Sequence, residues 1–334
     1  MGRLAPLPRN GGYREDDWWI WGGSVIAGDD GKFHMFASRW NQRVPFSPNW
    51  LTNSEVVRAV SSTAEGPYSY VETVLPTGDL DRWDGGMTHN PTIHRCPVTG
   101  KLLLFYTGST FAGPQPTQSP ANNAGESQGN QRIGLAVAES PSGPWERPDA
   151  PIIEPRPGGW DGRMVSNAAP CVLEDGTVLL GYKSHASLDD QTNYGLAQAE
   201  RFDEPFHRVA DEPLFEFADP EAHIEDAYIW EENGKFQMIF KDRTDRITGE
   251  EHAGAHATSS DAIRWELSDP PKAYSRTVRW SDGEITTLGS LERPQLLIQN
   301  GRPTHLFAGC ADGPGGFWRA EKTWNQCVPF RGTF

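Results

Sequence analysis

The sequence is poor in the features that membranes, metal clusters and nucleic acids require. Its four cysteines, Cys96, Cys171, Cys310 and Cys327, are far apart and form no CxxC pair. That spacing excludes a zinc framework and a dense disulfide scaffold. No apolar run is long enough to span a bilayer, and the opening MGRLAPLPRNGGYRED lacks the apolar core of a signal peptide. The expected compartment is therefore the cytoplasm, or the exterior if a leader has been removed. Lysine and arginine number 30 against 45 acids, a net charge of −15. Such a balance speaks against a phosphate-backbone partner and against docking on anionic lipid. A neutral or cationic small substrate, or a sugar, is compatible with it. Oligomeric state is not legible.

Helical periodicity is also scarce. Short apolar runs bounded by turn residues are everywhere, and 35 Gly and 27 Pro are spread along the chain. Both point to an all-β fold with many turns.

What the sequence does contain is a repeat. WGGSVIAGDDGKFHMFAS (21–38), HNPTIHRCPVTGKLLLFYTGS (89–109), AAPCVLEDGTVLLGYKS (168–184), EDAYIWEENGKFQMIFKD (225–242) and ERPQLLIQNGRPTHLFAG (292–309) share one plan. Each is an apolar strand, a turn ending in Gly31, Gly100, Gly176, Gly234 or Gly301, and a second apolar strand. Glycine there supplies the positive φ of a tight hairpin. A third element follows the first four copies, with Gly-Pro-aromatic endings at Gly66-Pro67-Tyr68 and Gly143-Pro144-Trp145.

Four short strands per unit and five units, spaced roughly 57 to 79 residues apart, predict a single five-bladed β-propeller. The blades span roughly 13–72, 84–147, 160–209, 222–267 and 290–322. A terminal segment, from the first residues or from QCVPF, closes the ring.

In a propeller the first strand of each blade lines the central channel, so its entrance residues converge. These are Trp21 and Gly22, His89 and Asn90, Asn167 to Ala169, Glu225 and Asp226, and Glu292 and Arg293. A smaller repeat, WDGGMTHN (83–90) and WDGRMVSN (160–167), sets Asp84 and Asp161 six residues before Asn90 and Asn167. The two aspartates fit a blade corner as well as a pocket. Second strands end in Arg39, Lys183 and Lys241-Asp242, beside Trp40, His185 and Arg243.

Carboxylates flanked by indoles suit glycoside hydrolysis, in which one carboxyl protonates the leaving oxygen and another attacks or activates water. Alternation along a strand would send Glu225 and Asp226 to opposite sides, which makes Glu292 the expected partner. Crowded acids would leave one of them protonated near neutral pH. His252 and His256 in HAGAH would lie about 13 Å apart on a regular strand and could not share an ion. No cofactor is required, and a structural metal ion in the central channel would leave no trace. The polar stretch 111–131, FAGPQPTQSPANNAGESQGNQ, is a candidate lid over the pocket.

EDAYIW resembles the acid-bearing segment of glycoside hydrolase family 43, and the blade pattern resembles families 43 and 117 over nearly the whole chain. The resemblance implies a propeller glycosidase with Glu225 as the proton donor. It also implies an Asp base on the first blade, but that place reads Gly22-Gly23, and the third-blade place reads Ala169-Pro170. Asp16 or Asp17, Glu292, Asp84, Asp161 or His89 would then take the missing roles. The expected function is exo-acting removal of a terminal sugar, a furanose or anhydro-sugar, from plant or algal oligosaccharides. Trp21, Asn90, Asn167, Lys183, Arg293, Asp84 and Asp161 are the expected substrate contacts. The alternatives are a phosphorylase, with phosphate held by Arg39, Lys183, Lys241 and Arg293, and a non-catalytic carbohydrate-binding propeller.

Overall fold

The computed structural model describes residues 4–313 and 316–331. It is the expected five-bladed β-propeller. Blade one is β1 (Trp18–Ala27), β2 (Phe33–Asn41), β3 (Glu55–Ser61) and β4 (Ser69–Leu75); blade two is β5 (Met87–Arg95), β6 (Leu102–Ser109) and β7 (Arg132–Ala138). Blade three is β8 (Ser166–Val172), β9 (Val178–Ser184), β10 (Asn193–Ala199) and β11 (His207–Arg208). Blade four is β12 (Ile224–Glu232), β13 (Lys235–Asp242), β14 (Gly254–Ser259) and β15 (Glu266–Tyr274). A small hairpin, β16 (Thr277–Arg279) and β17 (Ile285–Thr287), leads to blade five, β18 (Ser290–Gln299), β19 (Arg302–Ala311) and β20 (Thr323–Pro329). Among the described residues no helix is long and apolar enough to cross a membrane.

Strands within each blade are antiparallel neighbours, because each hairpin turn supplies a residue that tolerates positive φ. Gly31, Gly100, Gly176, Gly234 and Gly301 all lie there, with φ between 72° and 93°. The first strands β1, β5, β8, β12 and β18 pack on one another around the axis, and β18 returns to β1. Both ends of the chain close the ring. β20 is the third strand of blade five, and Tyr13 exchanges two 2.8 Å backbone hydrogen bonds with Asn325 on its outer edge.

Apolar residues of facing sheets meet between the blades, giving one buried cluster at each of the five junctions. Phe36 and Val56 meet Leu104 and Tyr106 between blades one and two; Ile239 and Tyr228 meet Leu296 and Leu306 between four and five. Burial of these side chains at about 25 cal/mol per Å² is the main force holding the ring together.

Every innermost strand carries a bulge at one place. Register shifts occur between Trp21 and Ser24, His89 and Thr92, Ser166 and Ala169, Glu225 and Tyr228, and Glu292 and Gln295. The second residue of each bulge is left-handed: Gly22 (φ 39°), Asn90 (50°), Asn167 (47°), Asp226 (58°) and Arg293 (54°). These five residues ring the axis. A Cβ on Gly22 would lie 2.7 Å from Asn90 Oδ1 and 3.0 Å from Arg293 Cγ, so glycine is required there.

Arg293 is fully buried on this axis. One terminal nitrogen donates to Asn90 O (3.1 Å), Thr92 Oγ1 (2.9 Å) and Ala168 O (3.0 Å), tying blade five to blades two and three. Replacing Arg293 with methionine would strand two carbonyls and a hydroxyl, each worth about 1–3 kcal/mol when buried unpaired. Arg293→Met should therefore lower unfolding stability by about 3 kcal/mol or more, read from urea denaturation. A loss below about 1 kcal/mol would show that the axis does not depend on it.

Candidate active site

A pocket with about 200 Å³ of water-accessible space opens at the entrance end of the inner strands. Two unlike walls form it. One is aromatic: Trp21 on β1, Trp40 on β2, Phe46 and Trp50 from the loop after β2, and Phe317 and Trp318 from the segment before β20. Trp40 stacks on Phe46 with centroids 5.2 Å apart, and Phe317 meets Phe46 edge-on at 4.7 Å.

The opposite wall is charged and built from strand ends. Glu225 on β12, Glu292 on β18 and Lys241 on β13 meet there because Lys241 lies directly across from Glu225 in the sheet. Its ammonium lies 2.7 Å from Glu225 Oε2, 2.6 Å from Glu292 Oε2 and 3.5 Å from Asp226 Oδ2. Lys183 on β9 donates to the other oxygen of Glu225, and Arg243 Nε stands 3.8 Å away. His252 Nδ1 lies 3.0 Å from Glu292 Oε1.

The bulge explains why both adjacent acids reach the pocket. Alternation predicts opposite directions for Glu225 and Asp226, but the left-handed backbone of Asp226 cancels it, and both line the cavity. Asp226 ends a polar relay along the axis: Asn90 Nδ2 donates to Asn167 Oδ1 (3.1 Å), and Asn167 Nδ2 donates to Asp226 Oδ1 (2.8 Å).

These surroundings drive the acids apart in proton affinity. Burial raises Asp226, and the charges of Glu225 and Glu292 add to that, outweighing the opposing pull of Lys241 and Arg293. Burial would raise Glu225 too, but Lys183, Lys241 and Arg243 hold it well below the usual carboxylate range. Glu292 is likewise lowered against burial, by Lys241 and His252. Lys241 stays charged in spite of burial because Glu225, Glu292 and Asp226 surround it. The same cations oppose the protonated form that the resemblance implies for Glu225.

His89 also lines the pocket. Burial, with the charges of Arg293 and Lys183, lowers it to about 3, so its imidazole is neutral. Ser54 Oγ spends its proton on Thr88 O (3.0 Å), so His89 Nδ1, at 2.8 Å, donates to that oxygen and Nε2 is left as an acceptor.

No protein-family model matches the chain, and no curated protein does either. Solved structures do. A family 117 glycoside hydrolase from Zobellia galactanivorans aligns with a TM-score of 0.69 at 14% identity, over 98% of this chain and 89% of that one. The catalytic domain of a family 62 α-L-arabinofuranosidase from Coprinopsis cinerea gives 0.64 at 14%, covering 99% and 100%. A family 43 enzyme from Xanthomonas citri gives 0.60 at 16%, covering 98% and 89%. The fold is that of the propeller glycoside hydrolases. Identities this low fit a divergent relative, as implied where the first- and third-blade places read Gly22-Gly23 and Ala169-Pro170.

Of the expected residues, Glu225, Asp226, Glu292, His89, Trp21, Asn90, Asn167 and Lys183 line the pocket. Arg293 does not, being spent on the axis beneath it. Asp17 and Asp16 are exposed outside it, because Asp17 sits in a turn whose carbonyl accepts from Gln42. Arg39 faces away, pairing with Glu15 (3.2 Å) and Glu55 (3.1 Å) between Trp18 and Tyr70. The β2 residue opposite Trp21 is Ser38, so Arg39 lies one place along the strand and on its other face.

Asp84 and Asp161 are corner residues. Asp84 holds Tyr106 (2.6 Å) and Arg147 (2.6 Å), and Asp161 holds Tyr182 (3.0 Å), Arg156 (2.9 Å) and Arg208 (2.8 Å). Trp83 and Trp160 stack on those tyrosines. The repeated tryptophan and aspartate thus serve packing, with both aspartates wholly buried.

His252 precedes β14 and faces Glu292, while His256 is on β14 and lies 2.6 Å from Ser268. Among the described residues no group of three or more His, Cys, Asp or Glu side chains is arranged to hold a metal ion. The 111–131 stretch forms part of the rim through Gln128 and Gln131 and carries a short helix, Ala124–Gly129. It is pinned by Asn53 to Pro116 O (2.8 Å) and by Gln115 to Gly86 O (3.1 Å). Sequence reasoning missed Trp50, Phe317 and Trp318, whose loops lie outside the repeat.

Asp161 gives a clean test of the corner assignment. Burial would raise its pKa, but Arg156, Arg208 and Tyr182 depress it. The stability it contributes is therefore present at neutral pH and is lost as pH falls through the folded value. Asp161→Asn should lose about 3 kcal/mol at neutral pH, with a shallower decline towards low pH than wild type and unchanged turnover per folded molecule. Lost turnover at unchanged stability would move Asp161 into the site.

Proposed function

We propose that the pocket is a glycoside hydrolase site that removes a terminal sugar, with Asp226 as proton donor and Glu225 as the carboxylate that attacks or stabilises the anomeric carbon. The observation that carries this reading is the set of three carboxylates on one lysine, whose surroundings leave Asp226 raised and Glu225 and Glu292 lowered. Groups forced apart in this way are what acid and base roles require. Glu225 is the most accessible of the three, its side chain 18% exposed. Asn167 donates to Oδ1 of Asp226, which leaves Oδ2 to carry the proton.

The reaction then runs as follows. Asp226 Oδ2–H gives its proton to the glycosidic oxygen as that bond breaks. Glu225 takes the developing positive charge at the anomeric carbon, and Lys183 and Lys241 keep it ionised until then. Water completes hydrolysis, returning a proton to Asp226. The aromatic wall offers faces for the sugar ring, and His89 Nε2 offers an acceptor for a hydroxyl proton. The enclosed space of about 200 Å³ is below the ~300–1,000 Å³ of pockets for drug-sized ligands, which supports one sugar residue and hence exo action.

All three acids meet a single ammonium. Laying the two longest contacts, 3.5 and 2.7 Å, end to end keeps those oxygens within about 6.2 Å of each other. Inverting pairs stand roughly 6.5–9.5 Å apart and retaining pairs about 5–5.5 Å. The predicted stereochemistry is retention.

The test is hydrolysis of aryl furanosides, aryl pyranosides and algal oligosaccharides, followed by NMR of the first anomer released. Glu225→Gln should lose at least about a hundredfold in turnover. Rate should fall as pH rises through the raised pKa of Asp226, and Asp226→Asn should abolish that limb. Turnover dependent on added phosphate, or release of the inverted anomer, would overturn the mechanism.

A further inference from the structure

The pocket presents a surplus of cationic hydrogen-bond donors at one wall, which hydrolysis of a neutral sugar does not need. Lys183, Lys241 and Arg243 face it, against the carboxylates of Glu225, Asp226 and Glu292. The net charge of the chain is −15, so this cationic wall is local and runs against the whole-molecule field.

The surplus is concentrated on one side. Lys241 is enclosed by its three acids, and Lys183 is matched by Glu225. Arg243 is different: its Nε is 3.8 Å from Glu225, one terminal nitrogen donates to Thr192 Oγ1 (2.9 Å), and its side chain is 42% exposed at the mouth. His185 lies on the same wall, and the charged groups that act on it are Lys183, Arg163 and Arg243, all cations. Its Nδ1 donates to Ser187 O. The loop bearing Arg243 is fixed by Asp242, whose buried carboxylate accepts backbone N–H groups from Thr244, Asp245, Ile247 and Thr248. Arg243 is therefore presented to the pocket by a built support.

We infer that the sugar bound here carries a negative charge, a carboxylate or a sulfate ester, recognised by Arg243 with Lys183 on the His185 side of the pocket. This rests on the glycosidase reading for the site but concerns binding alone. A guanidinium takes such oxyanions in paired hydrogen bonds, and the half-enclosed setting screens the interaction less than open surface would.

The experiment is calorimetric titration of the wild-type protein with D-galacturonate, D-glucuronate and D-galactose 6-sulfate, each against its neutral parent, D-galactose or D-glucose. None of these is cleaved, so the outcome does not depend on turnover, and failure of the hydrolytic mechanism would be seen separately. At least one charged sugar should bind about tenfold or more tighter than its parent, the scale of one charge-assisted hydrogen bond. Arg243→Gln should abolish that preference, and added salt should weaken it. Preference for the uronates assigns a carboxylate, and preference for the 6-sulfate assigns a sulfate ester. Equal or tighter binding of the neutral parents, no binding of any charged sugar, or a preference that survives Arg243→Gln would each overturn the inference.

Discussion

The left-handed residue at the same place in all five inner strands governs the centre of this molecule. A regular strand would alternate its side chains between two neighbouring blades and offer the channel mouth little. Positive φ at Gly22, Asn90, Asn167, Asp226 and Arg293 breaks that alternation and brings two successive residues to the mouth and axis. Left-handed backbone costs most residues about 1–2 kcal/mol, so the surroundings must over-determine it. They do: Ser38 Oγ and Thr107 Oγ1 accept the bulge N–H groups of Asn90 and Asn167, and Tyr194 accepts that of Ala227.

A second regularity follows from the first. The residue opposite each entrance position on the second strand is Ser38, Thr107, Lys183, Lys241 or Gly309. Each of them reaches the next blade around the ring. Ser38 serves Asn90, Thr107 serves Asn167, Lys183 serves Glu225 and Lys241 serves Glu292. Gly309 leaves space, since a Cβ there would lie 2.9 Å from the Trp21 ring. Hydroxyls satisfy backbone at two junctions, lysines answer carboxylates at the next two, and a missing side chain admits an indole at the last. The site is therefore a change of residue type within a constant geometry. Its cost is the burial of several charges, which is offset by cores at every blade junction and not by the ion pairs themselves.

This explains what the sequence made legible. Hairpin glycines and entrance positions repeat, so the blade number and most pocket-lining strand residues could be read directly. Three things could not. The bulge has no fixed residue type, because Gly, Asn, Asp and Arg all occupy it, so Asp226 looked bound for the opposite side from Glu225. Arg39 and Lys183 look alike at strand ends, yet a one-residue difference in register separates a solvent-side stack from the pocket. Asp84 and Asp161 share their spacing with the axial asparagines, but identical spacing reflects an identical corner, where Arg208 on β11 and Arg147, just after the isolated bridge at Glu146, come from distant sequence and are invisible to local pattern.

The side chains of the pocket are carried in two ways. Glu225, Asp226, Glu292, Lys183 and Lys241 are all on β-strands of the inner sheets, whereas Phe46, Trp50, Phe317, Trp318 and Arg243 come from connecting segments. Groups that must be held within a fraction of an ångström gain from strand backbone, while loops can change without disturbing the ring. The five junctions thus fix where charged side chains can be placed at the mouth, and the loops decide what surrounds them. In this chain the pocket's carboxylates stand at the junctions of blades three, four and five, and Trp21 and Gly22 occupy the first-blade entrance. The pocket is therefore bounded by carboxylates and lysines on the later blades and by ring faces on the first.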